Sequence, residues 1–228
     1  MTDVEELGRR ARAASRVLAT ASTGRKDAAL VAAADLLLDR SEQIRAANDA
    51  DVTAARADGM GEGPLDRLRL TDARLAAMAA GLRAVAGLAD PVGEVLDGSG
   101  RPNGLQLTRV RVPLGVVAII YENRPNVTSD AAGLCVKSGN AVLLRGSSSA
   151  LRSNVEVASV LRDALAACDL PADAVILVED TSYETAAAVM GLTRYIDCLI
   201  PRGGPALVNS VRENARVPVV IEIGRAHV

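Results

Sequence analysis

The feature that most constrains the fold is a series of short apolar segments, rich in β-branched residues, that alternates with helical patterns through the second half of the chain. The segments are LGVVAIIY, NAVLLR, AVILV, IDCLI and VPVVI, at residues 114–121, 140–145, 174–178, 196–200 and 217–221. Apolar runs of this length are typical of strands that are buried on both faces. Helices are predicted between them at residues 128–137, 149–167, 182–190 and 204–214. The alternation predicts βαβ units and a parallel sheet with right-handed crossovers.

The first 90 residues have the periodicity of helices. Apolar residues recur at helical spacing at Val4, Leu7, Ala11, Ala14 and Val17. Further helices are predicted at residues 26–38, 41–57 and 72–88, and the last of these has Asp72 as a capping candidate. We therefore expect a helical layer over residues 1–91.

Two strand candidates separate this layer from the alternating segments. They are GEVLD at residues 93–97 and NGLQLTRVRV at residues 103–112. The second alternates polar and apolar residues, as a half-exposed strand does. The sequence thus predicts an α/β protein with a strand and hairpin segment over residues 93–112 and a βαβ core over residues 113–222.

Composition excludes several classes of function. The net charge of −2 offers no basic surface for a nucleic acid. No apolar run approaches the roughly 20 residues of a membrane span, and the N-terminal 22 residues predict an amphipathic helix. The three cysteines have no metal-binding spacing and cannot all pair, which fits a reducing compartment. We expect a cytoplasmic protein without nucleic-acid or membrane partners.

Ligands of parallel α/β sheets bind beyond the carboxyl ends of the strands, so the residues there are the candidates for a site. YENRPNV (121–127) follows the first buried strand. In it, the Asn123 amide can stabilise an oxyanion, and Arg124 and Asn126 can bind an anionic substrate. A turn stiffened by Pro125, with exposed charges, is the alternative.

Two further strand ends carry residues suited to anions. RGSSS (145–149) presents an arginine, a glycine and three hydroxyls at the start of a helix, although simple capping of the helix by serine is the alternative. PRGG (201–204) allows a close approach of the backbone to a ligand, although a tight turn would also use paired glycines.

Several catalytic arrangements are absent from the sequence. No G-x-G-x-x-G follows a strand, and G-x-x-x-x-G-K-[ST] is missing. The one histidine, His227, is next to the last residue, so no Ser/His or Cys/His pair can be assigned. Cys135, Cys168 and Cys198 lie in or beside apolar stretches and are interpreted as packing residues.

The residues quoted above carry a resemblance to a known family. VPLGVVAIIYENRPNVTSDAAGLCVKSGNAVLLRGSSSALRSN (112–154) resembles the γ-glutamyl phosphate reductases, also called glutamate-5-semialdehyde dehydrogenases, of the aldehyde dehydrogenase superfamily. The motif Y-E-x-R-P-N-V is specific to that family. Similar segments occur in the same order at residues 65–75, 88–98, 104–115, 195–204 and 217–222.

The resemblance implies a Rossmann-like sheet that binds NADPH without the usual glycine fingerprint, over residues 1–222. The implied reaction is reduction of L-glutamyl 5-phosphate to glutamate 5-semialdehyde with release of phosphate, in proline biosynthesis. A cysteine thiolate displaces phosphate, and NADPH then reduces the thioester. Implied partners are further copies of the chain, through the hairpin, and glutamate 5-kinase of the pathway.

Residue roles follow from the same resemblance. Arg145 matches a residue near the adenosine ribose, and the neutral Ser148 stands where NAD-preferring relatives often carry glutamate, which favours NADPH. Gly203 and Gly204 match the turn at the pyrophosphate. The implied cofactor-binding residues are Arg145, Gly146, Ser147, Ser148, Arg202, Gly203, Gly204 and Glu222.

The last residues depart from the family pattern. After V-I-E (220–222) the chain reads IGRAHV (223–228), and no cysteine matches the family nucleophile. We therefore expect residues 223–228 to be non-native, the catalytic half to be missing, and the chain alone to be inactive. Two alternatives remain open: another aldehyde dehydrogenase-type oxidoreductase, and a non-catalytic nucleotide-binding or assembly module.

Overall fold

Five helices precede the first strand in the part of the chain that this computed structural model describes, residues 3–221. They are α1 (Val4–Leu18), α2 (Thr23–Asp39), α3 (Ser41–Ala57), α4 (Glu62–Leu68) and α5 (Asp72–Ala86). Side-chain oxygens of Asp3, Ser22 and Thr71 accept backbone N–H groups at the starts of α1, α2 and α5. The four helices predicted from periodicity are confirmed, and α4 is an addition to them. Among residues 3–221 no helix has the length and apolar character needed to cross a membrane.

The segment after the helices forms an antiparallel hairpin of β1 (Val95–Gly100) and β2 (Gln106–Val110). All residues of both strands are exposed. The prediction that the alternating strand is half-exposed is therefore wrong for the described chain, because neither face of the hairpin is covered within residues 3–221. Alternation shows which side chains share a face of a strand, but it does not show that another element covers that face.

Four parallel strands form the central sheet: β3 (Val116–Tyr121), β4 (Ala141–Arg145), β5 (Val175–Leu177) and β6 (Cys198–Arg202). Their order across the sheet is β5–β4–β3–β6. The helices between and after them are α6 (Asn126–Lys137), α7 (Leu151–Ala167), α8 (Tyr183–Gly191) and α9 (Pro205–Asn214). The predicted α/β class, parallel sheet and alternation of elements are confirmed.

The predicted strand at residues 217–221 is present only as a single parallel bridge. Val219 pairs with Leu199 of β6, and two backbone hydrogen bonds, from Leu199 N–H to the Pro218 carbonyl and from Val220 N–H to the Leu199 carbonyl, support the bridge. Pro218 has no N–H, which limits the ladder that this segment can form. The segment around Val219 nevertheless extends the sheet beyond β6.

Alternate side chains of the strands enter two separate cores. Val117, Ile119 and Val142 face a cluster built with α2, α5, α6 and α7, whereas Val116 and Leu143 face one built with α8 and α9. The first helix contributes Val4 and Ala11 to the second cluster. Helices α2 and α5 thus stack outside α6 and α7, whereas α1 contributes to both clusters, with Ala14 and Leu18 in the first.

Buried polar groups fix the outer helices to the sheet. The Asn48 amide group donates to the carbonyl of Leu68 at 2.8 Å and accepts from the N–H of Leu70 at 2.6 Å. Asn48 also donates to the Ser153 hydroxyl of α7 at 3.0 Å. Since Asn48 and Ser153 are fully buried, these bonds are shielded from water. They set the position of the segment around residues 68–70 relative to the sheet.

Candidate functional site

The strand register brings three of the predicted segments to one level of the sheet. Ile120 of β3 pairs with Arg145 of β4 and with Pro201 of β6, and Tyr121 pairs with Arg202. The carboxyl ends of β4, β3 and β6 therefore lie side by side. The loops that begin at residues 122, 146 and 203 leave the same edge of the sheet, as the sequence predicts.

A buried hydrogen-bonded chain supports the turn after β3. The Tyr121 hydroxyl lies 2.7 Å from the Thr128 hydroxyl, which donates to the Asn154 carbonyl oxygen at 3.0 Å. All three side chains have at most 1% of their surface exposed. Burial accordingly raises the pKa of Tyr121, which stays neutral and acts as a structural group.

The polar residues of the turn face the helical layer. The amide of Asn123 donates to the Pro64 carbonyl at 3.0 Å and lies 3.8 Å from Met60 Sδ. Both contacts run to the helical layer, and the predicted role of Asn123 as an oxyanion donor stays a prediction. Asn126 donates to the Asp130 carboxylate at 2.9 Å. Arg124 is exposed and has no side-chain partner within the described chain.

Arg124, Asn126 and Asp130 line a cavity of about 340 Å³ between the start of α6 and the helical layer. The other wall consists of Arg67, Arg69, Leu70, Arg74, Ala77 and Met78. None of these residues was predicted from the sequence to belong to the site. Their only sequence signal was the run LDRLRLTDAR at residues 65–74, whose three arginines belong to a part of the chain that is remote from β3.

The turn after β4 holds its arginine inside the protein. The Arg145 guanidinium donates to the backbone carbonyls of Thr181 and Ser182, and its Nε is buried without a partner. Desolvation lowers the pKa of Arg145, against the attraction of Tyr183 and Asp180. The group still carries its charge at neutral pH, because the guanidinium is a very weak acid.

The serines after Arg145 do not cap the following helix. Residues Ser148–Ala150 form a 3₁₀ turn, and neither that turn nor α7 has a side-chain capping bond. Ser147 and Ser149 instead pair through their hydroxyls at 2.8 Å, while Ser148 is exposed. The capping alternative is therefore wrong, and the Ser148 hydroxyl is accessible to a ligand.

The glycine turn after β6 already binds an anionic oxygen. The Glu122 carboxylate accepts the Gly204 N–H at 3.0 Å, next to the start of α9, whose first residue is Pro205. A Cβ on Gly203 would lie 2.6 Å from Glu122 Cδ. The paired glycines thus let a carboxylate approach the backbone. The neighbouring Arg202 is exposed and acts electrostatically on Asp130.

The cysteines agree with the packing interpretation. Cys135 and Cys198 are buried, and desolvation raises the pKa of the Cys135 thiol to about 12 and also raises that of Cys198. Cys168 is partly exposed at the end of α7. No group of His, Cys, Asp and Glu within residues 3–221 could hold a metal ion. Glu222 and the predicted non-native segment 223–228 lie outside the described residues.

Residues 1–225 match the aldehyde dehydrogenase family. The chain belongs to this family. Its α/β architecture, with a parallel sheet flanked by helices, is the fold that the sequence resemblance implied.

Solved structures show which members of the family this chain is similar to. The γ-glutamyl phosphate reductase from Thermotoga maritima is 43% identical with a TM-score of 0.95, over 98% of this chain and 54% of that one. The enzyme of the same name from Saccharomyces cerevisiae is 31% identical with a TM-score of 0.89, over 99% of this chain and 57% of that one. A probable aldehyde dehydrogenase from Listeria monocytogenes, 18% identical with a TM-score of 0.76 over 96% of this chain and 45% of that one, shares the fold. The chain spans about half the length of these relatives.

Proposed function

We propose that this chain is the cofactor-binding part of an NADPH-dependent reductase that converts L-glutamyl 5-phosphate to L-glutamate 5-semialdehyde and phosphate, in proline biosynthesis. The observation that carries the proposal is the common level of the β3, β4 and β6 ends, where an arginine, the exposed Ser148 hydroxyl and a glycine turn meet. The similarity to two γ-glutamyl phosphate reductases supports the reaction. The domain would extend over residues 1–222.

The residues at this edge fit a dinucleotide. The Gly204 N–H donates a hydrogen bond to the Glu122 carboxylate, so it can also donate one to an anionic oxygen of a pyrophosphate. Arg145 would hold the adenosine side, and the neutral Ser148 would tolerate a 2′-phosphate. Bound NADPH would supply the hydride, while these residues bind and orient it. Free cysteines are typical of reducing compartments, which supports a cytoplasmic location.

The covalent step would need a cysteine outside this chain. Cys135 and Cys198 are buried with raised thiol pKa values, so neither offers a thiolate at neutral pH. Cys168 is separated from the site because it ends α7, at the opposite end of that helix from the 148–150 turn. We therefore propose that the chain binds the cofactor but does not turn over substrate.

The exposed hairpin would serve assembly of the full-length enzyme. Val95, Leu96, Leu107 and Val110 of β1 and β2 are 41–60% exposed, and a two-stranded hairpin with such a surface is marginal by itself. A second copy that covers this surface would remove it from water, so we propose a homo-oligomer.

Titration of the purified chain with NADPH and NADH tests the proposal. Saturable binding is expected, tighter for NADPH, and Arg145→Gln should weaken it while Arg16→Gln, on an exposed position of α1, should not. An assay with glutamate 5-semialdehyde, NADP and phosphate should show no turnover. Absence of binding would contradict the cofactor assignment, and turnover would contradict the proposal about the cysteine.

A further inference from the structure

The cavity between α5 and the start of α6 has a charge pattern that the proposed function leaves unexplained. Arg67, Arg69 and Arg124 line it, and none of these three side chains forms a hydrogen bond or salt bridge within residues 3–221. Arg74 also lines the cavity, but it is paired with Asp66 at 2.9 Å. Three positive side chains therefore border one space, and none of them forms an ion pair within the described residues.

One carboxylate shares this space. Asp130 accepts from Asn126 at 2.9 Å, and its Oδ1 lies over Gly81 of α5, where an added Cβ would be 3.9 Å away. No salt bridge within the described chain joins Asp130 to Arg67, Arg69 or Arg124. The Asp130 side chain is partly exposed, and desolvation of its buried part raises its pKa. The hydrogen bond from Asn126 and the charge of Arg202 act in the opposite direction and lower this pKa. The carboxylate and the guanidinium groups line one cavity and form no direct ion pair within the described residues.

The size and floor of the cavity suit a small aliphatic molecule. Its volume of about 340 Å³ lies near the lower end of the range of about 300–1,000 Å³ found for ligand pockets. Leu70, Ala77 and Met78 supply apolar surface between the charged groups. A ligand that fits would carry anionic and cationic groups together on a short hydrocarbon chain.

We propose that this cavity binds the α-amino acid end of the substrate. Arginines of the cavity, including Arg124, bind the α-carboxylate, and the Asp130 carboxylate binds the α-ammonium group. The inference rests on the proposed function for the identity of the substrate. A site for phosphate alone would be weakened by a carboxylate on its wall, because like charges repel. A planar guanidinium fork, by contrast, matches a carboxylate and binds it in two places.

Equilibrium titration of the chain with L-glutamate and with glutarate, which lacks the ammonium group, tests this assignment. L-glutamate is expected to bind at least about tenfold more tightly, the effect of one charge-assisted hydrogen bond. Asp130→Asn should remove the preference and leave glutarate binding intact or stronger. Arg124→Gln should weaken both ligands, and Arg16→Gln neither.

The outcomes distinguish this inference from the proposed function. Three results with the unmodified chain would overturn the assignment of the cavity: equal binding of L-glutamate and glutarate, binding of neither, or tighter binding of inorganic phosphate than of L-glutamate. Since the titration contains no cofactor, such a result together with intact NADPH binding would leave the dinucleotide site standing. A glutamate preference without NADPH binding would overturn only the cofactor assignment.

Discussion

Replacement of Gly146 by alanine should destabilise the fold, although the glycine lies in a segment predicted to bind a cofactor. An added Cβ would lie under 3.0 Å from Asn154 Nδ2 and 3.1 Å from two carbons of the Tyr121 ring. Asn154 cannot move outward, because it is 1% exposed and accepts the Thr128 hydroxyl. Relief of the clash must displace this buried amide or the strand end.

The expected cost follows from these contacts. Overpacking costs about 1–3 kcal/mol, and the loss of a buried hydrogen bond costs about 1 kcal/mol more, so a decrease of about 2–4 kcal/mol in the free energy of unfolding is expected. For a chain of this size that corresponds to a fall of about 4–16 °C in Tm. Urea denaturation and calorimetry measure both quantities.

Two comparisons make the test specific. Gly61→Ala is the matched control, because a Cβ there would meet nothing within 4 Å and its φ is −67°. Adding Asn154→Ala to Gly146→Ala removes the clashing group, so the double variant should be more stable than the sum of the single effects by about 1 kcal/mol or more. A Gly146→Ala variant within about 0.5 kcal/mol of the unmodified chain would refute the packing argument.

Further expectations concern charge. Glu122→Gln should tighten NADPH binding by up to about tenfold at low salt, because it removes the negative charge that competes with a phosphate for the Gly204 N–H. An unchanged affinity would count against a phosphate at that turn. Ser148→Glu should weaken NADPH more than NADH, with Ser210→Glu on exposed α9 as control. Arg10 and Arg162 hold the pKa of Asp173 below its usual 3.8. The stabilisation that the ion pairs of Asp173 with Arg10 and Arg162 give is therefore present above about pH 4 and is lost as the pH falls further. In acid denaturation, Asp173→Asn should abolish this part of the pH dependence of stability. Leu107→Asp in the hairpin should lower the mass of the full-length assembly in light scattering.

The strand-end part of the site could be predicted because each piece is local in sequence. A buried parallel strand must be followed by a loop at the carboxyl edge, so β3, β4 and β6 place residues 122–126, 146–149 and 203–204 together whatever the details of packing. The role of Gly146 could not be predicted, because it depends on Asn154, which α7 brings back to the turn.

The arginine-lined wall of the cavity could not be predicted for a different reason. Its position is set by the buried Asn48, whose bonds to Leu68 and Leu70 are visible only in the folded chain. Helix α4, which precedes this wall, was not predicted, and its Gly63 and Pro64 are residues with low helix propensity. Pro64 is tolerated there because it lies in the first turn, where backbone N–H groups have no partner within the helix.

The location of the cofactor is the central claim, and mapping of amide chemical shifts during NADPH titration tests it most directly. The account predicts the largest shifts at the backbone N–H groups of residues 146–149 and 203–204, with small ones in the distant hairpin β1–β2. The absence of saturable shifts, or shifts concentrated away from the carboxyl edge of the sheet, would contradict it.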